Sequence, residues 1–134
     1  MSGSASGEEA TAGRVLVADD DADILELVSQ RLERRGYEVS TAGDGNEALA
    51  RTVAELPDAV VLDGLMPGLE GHEVCAELRS RERTAAIPVV LLTAKAADAD
   101  RQRALDVGAS AYMVKPFSID ELDQTLRGLI EARD

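Results

Sequence analysis

The segment that most constrains the fold is Asp58 to Gly68, DAVVLDGLMPG. Four apolar residues, Ala59 to Leu62, run directly into an acid, Asp63, and Pro67 and Gly68 turn the chain soon after. A short apolar run bounded by turn residues is the pattern of a fully buried strand in a parallel sheet. It puts Asp63 at the carboxyl end of a central strand, where open α/β sheets hold their ligand crevice.

The remaining segments supply the partners of that strand. Arg14 to Ala18 is a second buried run and ends in three acids, Asp19, Asp20 and Asp21. Tyr37 to Thr41 alternates, Ile87 to Leu92 ends at Thr93, and Ala111 to Val114 ends at Lys115-Pro116. Helical patterns lie between these runs. Ile24, Val28 and Leu32 recur every four residues beside Leu25, and Gly36 stops that helix. Asp44 and Glu47 have capping-box spacing ahead of Ala48, Leu49 and Val53, and Pro57 closes the segment. Gly71 to Arg79 turns Val74, Cys75 and Leu78 inward, and Ala97 to Val107 is stopped by Gly108. Ser118 and Glu121 cap a last helix with Ile119, Leu122, Leu126, Leu129 and Ile130 on its apolar face. Five strands alternating with five helices predict an α/β fold: a five-stranded parallel sheet, doubly wound as (βα)5 with right-handed crossovers. The domain is expected to span residues 14–132. Residues 1–13 are small and polar and read as a disordered lead-in.

Composition narrows the function. The 134 residues suffice for one domain with a real core. Hydrophobic residues make up 45% but aromatics only 2%, so that core is aliphatic. A net charge of -12 argues against direct nucleic-acid binding, which needs a basic footprint. The single cysteine, Cys75, cannot form an internal disulfide and reads as a small core residue. No apolar run approaches the ~20 residues that span a bilayer, and the N-terminus lacks a signal-peptide pattern. A cytoplasmic location with no membrane contact is expected.

In a parallel sheet all carboxyl ends point the same way. Asp19 and Asp20, Asp63, Thr93 and Lys115 should therefore converge on one edge. Carboxylates packed closely either raise one another's pKa or recruit a cation. Hard oxygen ligands with room for water suit Mg²⁺. A metal, a hydroxyl and a lysine side by side suit a phosphoryl group, whose oxygens they would neutralise. Asp19 or Asp21 could instead serve only to cap the following helix. Thr93 alone would be a turn residue and Lys115 alone a surface charge. Their joint occurrence at four strand ends favours a functional reading.

At these positions the chain resembles the receiver domain of two-component response regulators. Val15 to Asp20 (VLVADD) is similar to the acidic-pair motif and Leu62 to Gly68 (LDGLMPG) to the phosphoacceptor loop. Leu92-Thr93-Ala94 is similar to the switch-threonine motif, and Gly108-Ala109 with Tyr112 to Phe117 (YMVKPF) to the lysine motif. The resemblance implies a flavodoxin-like fold and a phosphorelay role. It implies that Asp63 takes a phosphoryl group from a phosphohistidine on a sensor histidine kinase or phosphotransfer protein. Asp20 and Asp63 would ligate Mg²⁺ directly with the Leu65 backbone carbonyl, and Asp19 through a water. Lys115 and Thr93 would hold phosphoryl oxygens, and Thr93 with Tyr112 would form the switch. The Lys115–Pro116 peptide would be cis. The chain would act as a signalling phosphoacceptor, catalysing only its own phosphoryl transfer and autodephosphorylation, and would control an unidentified downstream effector.

Other positions add detail. His72, the only histidine, sits near a helix start away from the acids and reads as a surface residue. Leu65 and Lys95, two positions after Asp63 and Thr93, imply shielding from water and a comparatively long-lived phosphorylated state. Gly64 is expected to loosen the acceptor loop. On the face used for dimerisation by winged-helix relatives, Arg101 and Glu121 are kept. Gln102, Ala111 and Thr125 depart from the pattern, which implies a monomer or a weak, phosphorylation-dependent dimer. A dehalogenase-like phosphatase would need an acid where Leu65 stands. A flavodoxin-like cofactor binder would need a phosphate loop where Asp19 to Asp21 stand. A receiver-shaped scaffold that takes no phosphate is disfavoured by the intact acids, Thr93 and Lys115.

Overall fold

The computed structural model describes residues 12–94 and 98–133. The elements alternate: β1 (Gly13–Ala18), α1 (Ala22–Glu33), β2 (Tyr37–Ala42), α2 (Gly45–Glu55), β3 (Ala59–Asp63), α3 (Gly71–Arg79), β4 (Val89–Thr93), α4 (Asp98–Asp106), β5 (Ala111–Val114) and α5 (Ile119–Arg133). The strands form one parallel sheet in the order β2-β1-β3-β4-β5. From β1 the chain moves to one side, then returns past β1 to build the other half. That reversal lies between β1 and β3, so the crevice of the sheet opens beside Asp19, Asp20 and Asp63.

Alternation within the strands divides the core. Leu16, Val60, Leu62, Val89 and Leu91 face Ala48 of α2, Val74, Cys75 and Leu78 of α3, and Ala104 of α4. Val15, Val17, Val61, Val90 and Leu92 face Val28 and Leu32 of α1 and Leu122 and Leu126 of α5. All five residues of β3 are buried, as a central strand covered on both faces requires. Each fully buried Val or Leu stabilises the fold by about 1.5–3 kcal/mol.

The expected boundaries shift in several places. β1 begins at Gly13, and the Ala12 N–H donates to the Gly36 carbonyl, so order extends two residues into the expected lead-in. Residues 1–11 lie outside the described residues. β4 begins at Val89, not Ile87. Pro88 has no N–H for the ladder, but its carbonyl accepts from Val60. α2 ends in Leu56 at φ 50, so a non-glycine left-handed cap precedes Pro57. Asp44 caps the Glu47 N–H, but the Glu47 carboxylate reaches back to the Gly43 N–H rather than to Asp44. α4 spans Asp98–Asp106, and Ala97 falls outside the described residues. Among the described residues no helix is long and apolar enough to cross a membrane.

Candidate functional site

Strand register brings the polar strand ends together. Asp63 is the last residue of β3 and Thr93 the last of β4, while Asp19 and Lys115 follow β1 and β5 directly. Backbone bonds continue the ladder past the strands: Asp19 N–H to Ala42 O at 3.1 Å, Gly64 N–H to Leu92 O at 2.7 Å, and Lys115 N–H to Thr93 O at 2.7 Å. Asp19, Asp20 and Asp63 each present a carboxylate oxygen, and these oxygens lie within 4.8 Å of one another. The Lys115 ammonium spans the group, 3.1 Å from Asp63 Oδ1 and 3.3 Å from Asp19 Oδ2.

The three acids after β1 separate into different roles. Asp21 is the N-cap of α1, its carboxylate accepting from the Asp23 and Ile24 N–H groups. Asp19 is buried, and its Oδ1 accepts from the Asp21 N–H at 3.0 Å. Asp20 is exposed and faces the crevice mouth. Only Asp21 is therefore a helix cap.

Burial pushes the Asp63 carboxyl above the ordinary carboxylate range. The ammonium of Lys115 opposes that shift, the charge of Asp19 adds to it, and a hydrogen bond from the Leu65 N–H also opposes it. Burial would lower the Lys115 ammonium, but its hydrogen bond to Asp63 and the charges of Asp63 and Asp19 raise it overall. Lysine therefore stays protonated while a buried carboxylate pair shares one cation. Hard carboxylate oxygens this close, undercompensated by a single ammonium, fit a divalent cation such as Mg²⁺.

Thr93 is buried, and a Cβ at Gly64 would lie in ordinary van der Waals contact with its hydroxyl, at 3.8 Å. The expectation that Gly64 loosens the loop is not met. Gly64 is buried and pinned on both sides, by its N–H to Leu92 O and by its carbonyl from the Gly71 N–H at 3.1 Å. Tyr112 lies half-buried in β5 with the Arg101 guanidinium 5.9 Å over its ring. The Lys115–Pro116 peptide is cis. Leu65 is 58% exposed beside the acids, and Lys95 is outside the described residues. His72 is the second residue of α3 and does not join the acidic cluster, and Cys75 is buried with its thiol against Val107 O. On the α4 face, Gln102 donates to Asp106 of its own helix. An apolar groove of about 520 Å³, lined by Ile24, Leu27, Val28, Phe117 and Ile119, borders Lys115.

Two polar centres were not singled out from the sequence. Arg79 ends α3, and its guanidinium donates to the carbonyls of Gly108, Ala85 and Ile87, tying the α3–β4 and α4–β5 connections together. Asp123, an acid of α5, is buried. It accepts from Tyr37 Oη at 2.7 Å, Arg127 Nε at 2.8 Å and Arg35 at 3.2 Å. An acid one position after Leu122 on the last helix gave the only available hint.

Comparison with known proteins agrees with this geometry. The family model described as "Response regulator receiver domain" matches residues 15–127. The alkaline phosphatase synthesis transcriptional regulatory protein PhoP of Bacillus subtilis is 42% identical over 117 residues, covering 87% of this chain and 48% of PhoP. The DNA-binding dual master transcriptional regulator RpaA of Synechocystis is 42% identical over 121 residues, covering 90% of this chain and 50% of RpaA. The chain thus spans about half the length of the curated relatives it matches. Among solved structures, the receiver domain of the Francisella response regulator 1452 superposes with a TM-score of 0.86 at 34% identity, covering 91% of this chain and 99% of that one. The receiver domain of sensor histidine kinase PA1611 from Pseudomonas aeruginosa gives 0.82 at 29% identity, covering 89% and 98%. That structure is described with a magnesium ion coordinated in the active site cleft.

Proposed function

The chain belongs to the response regulator receiver domain family, and on that premise we propose that Asp63 is its phosphoacceptor. The donor is a phosphohistidine on a sensor histidine kinase or phosphotransfer protein. The observation that carries this reading is the Lys115 ammonium bridging Asp63 and Asp19 at the sheet's crevice. An Asp63 carboxylate oxygen forms a bond to phosphorus as the phosphorus–nitrogen bond of the donor breaks. The imidazole nitrogen keeps the electron pair and takes up a proton. For this step Asp63 must be ionised despite its burial, and Lys115 and the Leu65 N–H favour that form.

When bound, Mg²⁺ would supply the positive charge that neutralises phosphoryl oxygens. Asp20 and Asp63, the Leu65 carbonyl, and Asp19 through a water are the residues that would hold it. Lys115 then exchanges its contact with Asp63 for a phosphoryl oxygen, and the Thr93 hydroxyl donates to another. Movement of Thr93 toward that oxygen opens space for Tyr112 to turn inward, which makes the pair the switch. The only chemistry assigned to the chain is its own phosphoryl transfer and autodephosphorylation. The apolar groove that borders Lys115 supports a protein donor, because Lys115 itself contacts Asp63. The curated relatives named above are transcriptional regulators, so the switched face is read by an effector domain or partner. The -12 charge favours a domain that does not itself touch nucleic acid. Cytoplasmic action, as a monomer or weak phosphorylation-dependent dimer, fits this role.

Intact mass after incubation with acetyl phosphate and Mg²⁺ tests the assignment. One added phosphoryl group is expected, absent without Mg²⁺ and absent in Asp63→Asn. Addition that persists in Asp63→Asn would remove Asp63 from the role.

A further inference from the structure

The acceptor loop, residues 64–70, is closed at its base by the Gly71 N–H to Gly64 O bond. Its far side rests on the start of α2, which is 18 positions away from Asp63 in sequence. Gly45, the first residue of α2, is buried and donates its N–H to the Pro67 carbonyl at 3.3 Å. A Cβ built on Gly45 would lie 1.9 Å from the Leu69 carbonyl oxygen and 2.6 Å from its carbon. On the same surface, Asn46 packs on Gly68, where a Cβ would meet its amide nitrogen at 2.5 Å and where φ is +83. At Gly45 the nearest atoms belong to the Leu69 backbone carbonyl, so no side-chain rotation relieves that contact, whereas the neighbour of Gly68 is the Asn46 side chain.

We propose that Gly45 is a positioning residue for the Asp63 reaction, setting the acceptor loop by the close approach that only glycine allows; this rests on the phosphoacceptor reading above. A methyl group at Gly45 would force Leu69 and the helix start apart by roughly an ångström. The helix start is the stiffer side. Asp44 caps the Glu47 N–H at 2.8 Å, Glu47 binds the Gly43 N–H at 2.7 Å, and Ala48 is fully buried. The loop is the softer side, with Leu65, Pro67 and Gly68 exposed. Displacement therefore passes from Leu69 and Pro67 back along the loop to Leu65, two residues after Asp63, whose N–H favours the ionised Asp63 carboxylate. Misplacing reacting groups by about an ångström costs on the order of a hundredfold in rate.

The test compares wild type, Gly45→Ala and Gly108→Ala. Gly108 also disfavours alanine, with φ at +90 and a built Cβ 2.9 Å from Arg79 Cγ, but it packs away from the acceptor loop. Melting temperature, Mg²⁺ affinity by calorimetry and the rate of phosphorylation by acetyl phosphate are read on each. Both variants are expected to melt lower. Only Gly45→Ala is expected to bind Mg²⁺ more weakly and to phosphorylate more slowly, by on the order of a hundredfold. Wild-type Mg²⁺ affinity and rate in a folded Gly45→Ala, or equal losses in Gly108→Ala, would overturn the proposal. If Gly45→Ala does not fold, Asp44→Ala and Asp44→Ser decide. Serine keeps the cap without the charge, so Asp44→Ala should bind Mg²⁺ more weakly than Asp44→Ser, and equal affinities would overturn it. A wild type that takes no phosphoryl group fails the underlying assignment instead, whereas the Mg²⁺ affinity of Gly45→Ala relative to wild type still reports on Gly45.

Discussion

Asp63 occupies its place at a cost. Its folded-state pKa lies above the unfolded value, with burial the largest cause, so the ionised form is destabilising at neutral pH. The sign follows: the folded state binds the proton more tightly, and acidification through the raised pKa stabilises the fold with respect to this group. Without Mg²⁺, Asp63→Asn should therefore melt above wild type at pH 7. The difference should shrink as the pH falls to the ordinary carboxylate range. A lower melting temperature for Asp63→Asn at pH 7 would show that Lys115 more than offsets the burial. The residues of this site were legible in the chain because each ends an apolar run, and strand ends in a parallel sheet share one edge. Asp21 could be separated from Asp19 only in three dimensions, because both have a spacing that permits capping.

At the scale of elements, α5 is fastened to the start of β2 by a polar clasp. Tyr37 Oη and Arg127 share Asp123, Arg35 pairs with both Asp120 and Asp123, and Arg127 also caps the Arg35 carbonyl at 2.8 Å. Burial would raise Asp123, but Tyr37, Arg35 and Arg127 together hold it below the usual range. A lowered carboxylate contributes stability above its unfolded pKa and loses it as the pH falls through the folded one. Burial and Asp123 push the Tyr37 hydroxyl well above its ordinary value, so it remains a donor throughout the neutral range. Tyr37→Phe should cost about 1.5–3 kcal/mol, the usual range for a hydrogen bond to a charged group, read as a drop in melting temperature of several degrees. An unchanged melting temperature would mean that Arg35 and Arg127 suffice. The helices themselves were legible from apolar spacing and caps. The clasp was not, because Tyr37 and Asp123 are 86 positions apart and nothing local links them.

For the whole molecule, the crevice and the fold are thermodynamically coupled. A cation that binds only the folded state stabilises it, by about 1.4 kcal/mol at ten times its dissociation constant. Mg²⁺ should therefore raise the melting temperature by a few degrees, and Asp63→Asn should abolish most of that increment. Equal shifts in both proteins would indicate diffuse screening of the -12 charge instead.

The sequence by itself determined the parallel α/β architecture, the strand ends and the residue types in the crevice. These follow from local periodicity and from the common direction of parallel strands. Tertiary structure decided what depends on contacts between segments remote in sequence: which acid caps α1, that Gly64 is pinned rather than loose, that Arg79 binds carbonyls of two connections, and that Gly45 bears on Leu69. Hydrophobic patterning records which face of an element is covered. It carries no record of which polar group or which backbone carbonyl will meet it there.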